Sequence, residues 1–160
     1  MNDLALVLKQ DGFLTEEAYE DLLQKSYSTG KSVEDLLSNS ATIEIEDMTK
    51  ARAKVYNVPF VSLAALASSP EALNKIPESV AESYSVLPFK YDTTSGILSV
   101  AMENPLDLKA ISFLEAKSKA KIKPFMAVAD ELVEEIPKRY AQSLSAEVSE
   151  VLQEGRESEG

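Results

Sequence analysis

The side chains of this 160-residue chain that could do chemistry are carboxylates and lysines, because it holds no Cys and no His. Adjacent acids stand at Glu16-Glu17, Glu20-Asp21 and Glu134-Glu135. Paired carboxylates act as acid and base when a cleft pushes their pKa values apart. These pairs fall on faces of expected helices, and nothing around them marks a cleft. Without imidazole or thiol there is no thiol nucleophile, no disulfide and no zinc site of the usual kind. The five glycines, Gly12, Gly30, Gly96, Gly155 and Gly160, make neither a P-loop nor a dinucleotide pattern. No Asp-x-Asp-x-Asp-Gly run suggests calcium. We therefore expect no catalytic residue, no metal and no cofactor in this chain. Lys117, Lys119, Lys121 and Lys123 alternate with small or apolar residues. They suit either a basic patch for an anion or, more simply, a helix end running into an edge strand that uses Lys to deter aggregation.

Charge narrows the partners. The net charge is −11, and it is unevenly spread. Residues 1–66 carry 11 acids and 6 bases, residues 67–127 carry 7 and 7, and residues 128–160 carry 9 and 3. A chain this acidic is repelled by phosphate backbones and anionic lipid heads, so nucleic acid is not an expected partner. No apolar run approaches the ~18 residues of a membrane span, so no direct membrane insertion is expected. The amino terminus lacks the basic start and cleavage site of a signal peptide. The expected location is cytoplasmic.

The elements that must position these residues are helical at first. Leu4, Val7 and Leu8 recur at helical spacing before Gly12. Thr15 caps a second helix with Ala18, Tyr19, Leu22 and Leu23 inward, and Gly30 closes it. Ser32 caps a third carrying Val33, Leu36 and Leu37, and a fourth puts Met48, Ala51 and Val55 inward. A shift of 29 residues lays Leu4 on Val33, Val7 on Leu36, Leu8 on Leu37, Leu14 on Ile43 and Gly12 on Ala41. This stretch is a duplicated helical hairpin, with copies at 3–26 and 32–55.

Asn57-Val58-Pro59 then turns the chain extended. Two short helices follow, the first with Ser68-Ser69-Pro70 at its start, the second after Pro77. Val86 to Phe89 and Ile97 to Met102 flank the polar loop Asp92-Thr93-Thr94-Ser95-Gly96 as a β-hairpin. After Asn104-Pro105, Leu106 to Ala116 reads as a helix with Leu108, Ile111, Phe113 and Leu114 inward. Lys121 to Ala127 is a third strand, so the unit is ββαβ. A last helix runs from Asp130 to about Tyr140, with Leu132, Val133, Ile136 and Tyr140 as its apolar face, and Pro137 should kink or end it. The expected fold is α+β: a helical subdomain over residues 1–63, a three-stranded α/β subdomain over 64–142, and an acidic linker or tail over 143–160.

The ordered set of motifs resembles a known family. The duplicated hairpin is followed by Asn57-Val58-Pro59-Phe60-Val61-Ser62-Leu63, Ile76-Pro77-Glu78, Tyr84-Ser85-Val86-Leu87-Pro88 and Leu98-Ser99-Val100-Ala101-Met102. Asn104-Pro105-Leu106-Asp107 completes the set. The succession, over roughly residues 3 to 142, resembles the amino-terminal domain of type II secretion and type IV pilus assembly ATPases. The resemblance implies a non-catalytic interaction domain that couples a motor to the cytoplasmic domain of an inner-membrane platform protein. It also implies an ATPase domain downstream in the same polypeptide, and a hexamer only in that full-length parent. The location so implied is cytoplasmic and peripheral to the inner membrane. The Walker motifs of that family are not in this sequence.

A subset of the family binds cyclic di-GMP through the duplicated motif, each copy opening with Arg-Leu-Gly, carrying Gly at its tenth position and ending in Gln. The resemblance places the apolar and glycine positions of that motif on Leu4, Leu8, Gly12, Leu14, Val33 and Leu37. Elsewhere the sequence departs from it. Asp3, Ala5 and Ser26 replace Arg, Gly and Gln in the first copy, and Ser32, Glu34, Ala41 and Val55 fill the corresponding places in the second. With both arginines lost and acids introduced at Asp3 and Glu34, an anionic dinucleotide should be repelled.

Overall fold

The structure, a computed structural model, describes residues 3–39 and 43–159, with the side chains of 4–39 and 43–144. The chain divides into two compact units, Met1–Phe60 and Val61–Gly160.

The first unit is four helices: α1 (Asp3–Gln10), α2 (Glu16–Thr29), α3 (Val33–Ser38) and α4 (Ile45–Tyr56). Each boundary has a local cause. α1 stops at Gly12, whose left-handed φ of 87° lets the Gly12 and Phe13 amides bond back to the Lys9 and Leu8 carbonyls at 3.1 and 2.9 Å. That is the paired bond of a Schellman end, and a side chain with a Cβ would strain it. α4 ends the same way without glycine. Asn57 sits at φ 57°, and the Asn57 and Val58 amides donate to the Lys54 and Ala53 carbonyls. Thr15 Oγ1 accepts from the Ala18 amide and Ser32 Oγ from the Asp35 amide, both at 3.1 Å. These are the two predicted N-caps. Leu4, Ala5, Leu8, Val33, Leu37, Met48 and Ala51 form the core, with Val7, Leu14, Tyr19, Leu22, Leu23, Ile43 and Val55 around it. Ala41, the repeat partner of Gly12, lies outside the described residues.

The second unit opens with a 3-10 turn at Leu63–Ala65, then α5 (Pro70–Lys75) and α6 (Glu78–Tyr84). The sheet follows: β1 (Val86–Asp92), β2 (Ile97–Met102), α7 (Leu108–Ser118) and β3 (Lys121–Met126). Strand order is β1-β2-β3. β1 runs antiparallel to β2, Val86 opposite Met102 and Asp92 opposite Ile97, with an irregularity at Phe89. β2 and β3 are parallel, Leu98 opposite Ile122 and Met102 opposite Met126, as a helical crossover allows. The core joins the sheet to α5, α7 and the last helix through Leu73, Ile76, Leu87, Leu98, Val100, Met102, Leu114, Leu132 and Ile136.

Four details differ from the sequence expectation. Leu63, read as the end of the helical subdomain, is fully buried in the core of the second unit. α7 turns Ala110, Leu114 and Ser118 inward, and leaves Leu108 73% and Phe113 42% exposed. At about 100° per residue, Leu108 lies about 120° and Phe113 about 100° around the helix from Leu114, off the stripe that 110, 114 and 118 share. Val133 is likewise exposed on the last helix. That helix, α8, runs from Ala129 to Glu159, through Pro137 and the residues read as a linker. Proline removes one intrahelical bond. On either side of it the helix is held by Lys138 Nζ on Glu134 and Arg139 Nε on Glu135, both at 3.0 Å. Arg139 Nη2 also donates to the Leu63 carbonyl at 2.6 Å, and the Tyr140 hydroxyl to the Ile76 carbonyl at 2.7 Å. Burial, with the Glu78 charge second, pushes the Tyr140 phenol well above its ordinary range. This neutral donor fixes the base of α8 to α5. The side chains of Val148, Val151 and Leu152 lie outside the described residues.

Candidate functional site

The helical repeat is where the family resemblance places ligand-binding positions, and burial decides what they do. Leu4, Leu8, Val33 and Leu37 are 5%, 0%, 6% and 4% exposed, and they pack on one another across α1 and α3. Leu14 is half-buried against the same cluster. Gly12 is exposed and closes α1. The structure thus brings the four buried positions into one core, and each has a packing or chain-turning role that accounts for its residue type.

The polar positions of the repeat point to the same conclusion. Glu34 lies 3.9 Å from Arg52 of α4, so one cation of this unit is directed at an acid within it. Ser32 is occupied as the N-cap of α3. Ser26 Oγ donates to the Lys31 carbonyl at 2.8 Å, across the spacer between the two copies. Asp3 is the first residue of α1, and its side chain is outside the described residues. A groove of about 290 Å³ runs between Leu14, Ala18, Leu22 and Leu36, with Asp21 and Lys25 at its rim. It is too apolar, and carries too little positive charge, for two phosphates.

Sequence reasoning missed a second concavity in this unit. A cavity of about 560 Å³ is lined by Asp11, Phe13, Asp47, Lys50, Lys54 and Phe60, among others. Lys54 Nζ reaches both oxygens of Asp11 at 2.8 and 2.9 Å, and Lys50 Nζ sits 5.5 Å from the Phe60 ring centre. Its two lysines are balanced by two carboxylates. Only the separation of 43 residues between Asp11 and Lys54 hid this pair from a local reading.

Among the described residues, the paired carboxylates are not gathered into a cleft. Glu16, Glu17, Glu20 and Asp21 lie on the outer side of α2, and Glu134 and Glu135 are engaged with Lys138 and Arg139. Among the described residues, no group of three or more carboxylates is placed to hold a metal. Asp92 is the carboxyl whose pKa is displaced downward. The Thr94 amide bonds to its Oδ1 at 3.0 Å, and the Ser95 side chain, the Ser95 amide and Lys90 add to the effect. This bonding builds the hairpin loop, where the Gly96 amide also donates to the Asp92 carbonyl at 2.8 Å. Among the described residues, no helix is long and apolar enough to cross a membrane.

Comparison with known proteins agrees with this geometry. The sequence matches the MshEN domain over residues 56–146, which covers most of the second unit and leaves the helical repeat outside. It is 22% identical over 137 residues to the type IV pilus assembly ATPase PilB of Thermus thermophilus. That alignment takes in 86% of this chain and 15% of PilB, so the chain spans about a seventh of the length of that relative. A solved structure of MshE with cdg superposes with a TM-score of 0.65 at 22% identity, covering 86% of this chain and 98% of that one. A structure of the N-terminal domain of XpsE superposes at 0.51 with 16% identity, covering 85% and 93%. At these identities the two structures establish a shared fold.

Proposed function

This chain belongs to the MshEN domain family, the N-terminal domain of type IV pilus and type II secretion ATPases, and on that premise we propose that it is a non-catalytic coupling domain. Its role is to bind the cytoplasmic domain of an inner-membrane platform protein and to join that contact to an ATPase domain in the same polypeptide. That places it in the cytoplasm, held at the inner membrane through its partner. The observation that carries this reading is the commitment of Leu4, Leu8, Val33 and Leu37 to the core of the first unit, while Asp3 and Ser32 stand at the two positions where the dinucleotide-binding repeat carries arginine. What remains of the repeat is packing, and packing presents a fixed surface to a protein. Adsorption of platform cytoplasmic domains on the immobilised chain tests this directly. Specific retention of one of them is expected, and failure of all of them over a range of salt concentrations would contradict it.

The alternative reading is a cyclic di-GMP sensor. It is supported by the 29-residue repeat spacing and by the likeness to a structure solved as MshE with cdg. Against it stand Asp3 and Ser32 at the two arginine positions of the motif and the added acid Glu34, 3.9 Å from Arg52, at the glycine position of the second copy.

A further inference from the structure

The lysines of the second unit have no place in the reading above. Five of the sixteen basic residues fall within residues 109–123, where Glu115 is the single acid. Glu115 is already used, its Oε2 accepting from the Ile122 amide at 3.4 Å. Lys90, Lys121 and Lys123 are exposed, and among the described residues none of them lies within ion-pair distance of a carboxylate. Lys9, Lys50, Arg52, Lys54, Lys138 and Arg139 all do.

The register of the sheet gathers these three lysines. Lys90 is opposite Ser99, and Ser99 is opposite Lys123, so the row Lys90–Ser99–Lys123 crosses all three strands on one face. Lys121 lies two residues from Lys123 on that face, in the row of Ile97 and Asp92. Strand geometry sets Lys121 and Lys123 roughly 7 Å apart along β3, and Lys90 roughly 10 Å from Lys123 across the sheet. Beside this triangle, Phe89 and Phe125 meet edge to face at 5.2 Å, both half-buried, and Lys123 Nζ lies 5.3 Å from the Phe125 ring. Asp92 also lies on this face, where it interacts with the Lys90 charge, and its Oδ1 is taken up in the hairpin turn.

The outer edge of β3 is closed to an added strand. The Ile122 amide is held by Glu115, Pro124 has no amide proton, and the Met126 carbonyl accepts from the Val61 amide at 2.9 Å. Recognition here must come through side chains on the face. The net charge of −11 weighs against an extended polyanion, whether a bilayer or a nucleic acid, because a ligand much larger than a Debye length meets the charge of the whole chain. A short acidic peptide meets only the local field.

We propose that this face docks an acidic segment of a partner protein. Carboxylates meet Lys90, Lys121 and Lys123, and an apolar side chain of the segment lies on the Phe89–Phe125 pair. This contact stands on the second unit alone and is independent of what the helical repeat binds. The test is fluorescence anisotropy with a labelled Glu-Glu-Phe-Glu-Glu-Phe peptide on the full chain. Saturable binding that weakens with added salt is expected. Lys90→Glu, Lys121→Glu and Lys123→Glu together should weaken it by about tenfold or more. The three Lys→Gln changes should give a smaller loss with unchanged circular dichroism. Lys25→Glu with Lys31→Glu, at exposed lysines of the other unit, should have no effect. No saturable binding, or an equal loss in the Lys25/Lys31 control, would overturn the proposal. So would preferential binding to phosphatidylserine vesicles or oligo-dT, abolished by the triple Glu change.

Discussion

The two units use their apolar residues to different ends, and the contrast separates packing from binding. In the second unit the core is scaffold throughout. Leu87, Leu98, Val100 and Leu114 are fully buried between sheet and helices, and the Lys90–Ser99–Lys123 row is carried on a sheet face that they hold in place. In the first unit the core and the motif are the same residues: Leu4, Leu8, Val33 and Leu37 are both the recurring positions of the repeat and its interior. A repeat of this kind keeps its fold for as long as the apolar positions stay. Its polar positions are free to become Ser32, Glu34 or Ser26, each of which has found a partner within the unit. The family match, confined to residues 56–146, falls largely on the unit with the larger packed core.

This contrast can be broken or sharpened by substitution. The largest effect belongs to the sheet core. Leu98→Ala should cost about 2–5 kcal/mol by urea denaturation, and Leu8→Ala should lie near the lower end of that range because the smaller cluster collapses more readily around the gap. Equal, small losses at both sites would mean that neither is a packed core. Next comes the cap of α3. Ser32→Ala should cost about 1 kcal/mol by removing the acceptor for the Asp35 amide; an unchanged midpoint would mean that the position is available for another role. A smaller loss, about 0.2–1 kcal/mol, is expected for Lys54→Ala, since its pair with Asp11 is largely exposed.

The least effect is a pH dependence in the hairpin. Asp92 has a folded pKa below its unfolded value, so its contribution is present above the unfolded pKa. That contribution is lost as pH falls through the folded one. Asp92→Asn should therefore flatten the acid side of the stability profile and leave the neutral side less stable. A profile identical to that of the unsubstituted chain would remove the loop from the account.

Much of this fold is legible locally. Thr15, Ser32, Ser69, Gly12 and Gly30 mark helix ends through bonds made within a few residues, and Asp92 to Gly96 marks the hairpin in the same way. What escaped depends on distant partners. The inward stripe of α7 is chosen by the sheet it meets, which passes over Leu108 and Phe113. α8 continues beyond Tyr140 from a base anchored to carbonyls 64 and 76 residues away. The candidate site is legible only as a spacing. That its apolar positions are interior, and that Glu34 faces Arg52, follow from the meeting of α1, α3 and α4, which no local pattern contains.

The central claim is that the repeat of the first unit has kept its packing and lost its dinucleotide site. Isothermal titration calorimetry of the chain with cyclic di-GMP tests it most directly. The account predicts no binding heat across the micromolar range, and saturable micromolar binding with defined stoichiometry would contradict it.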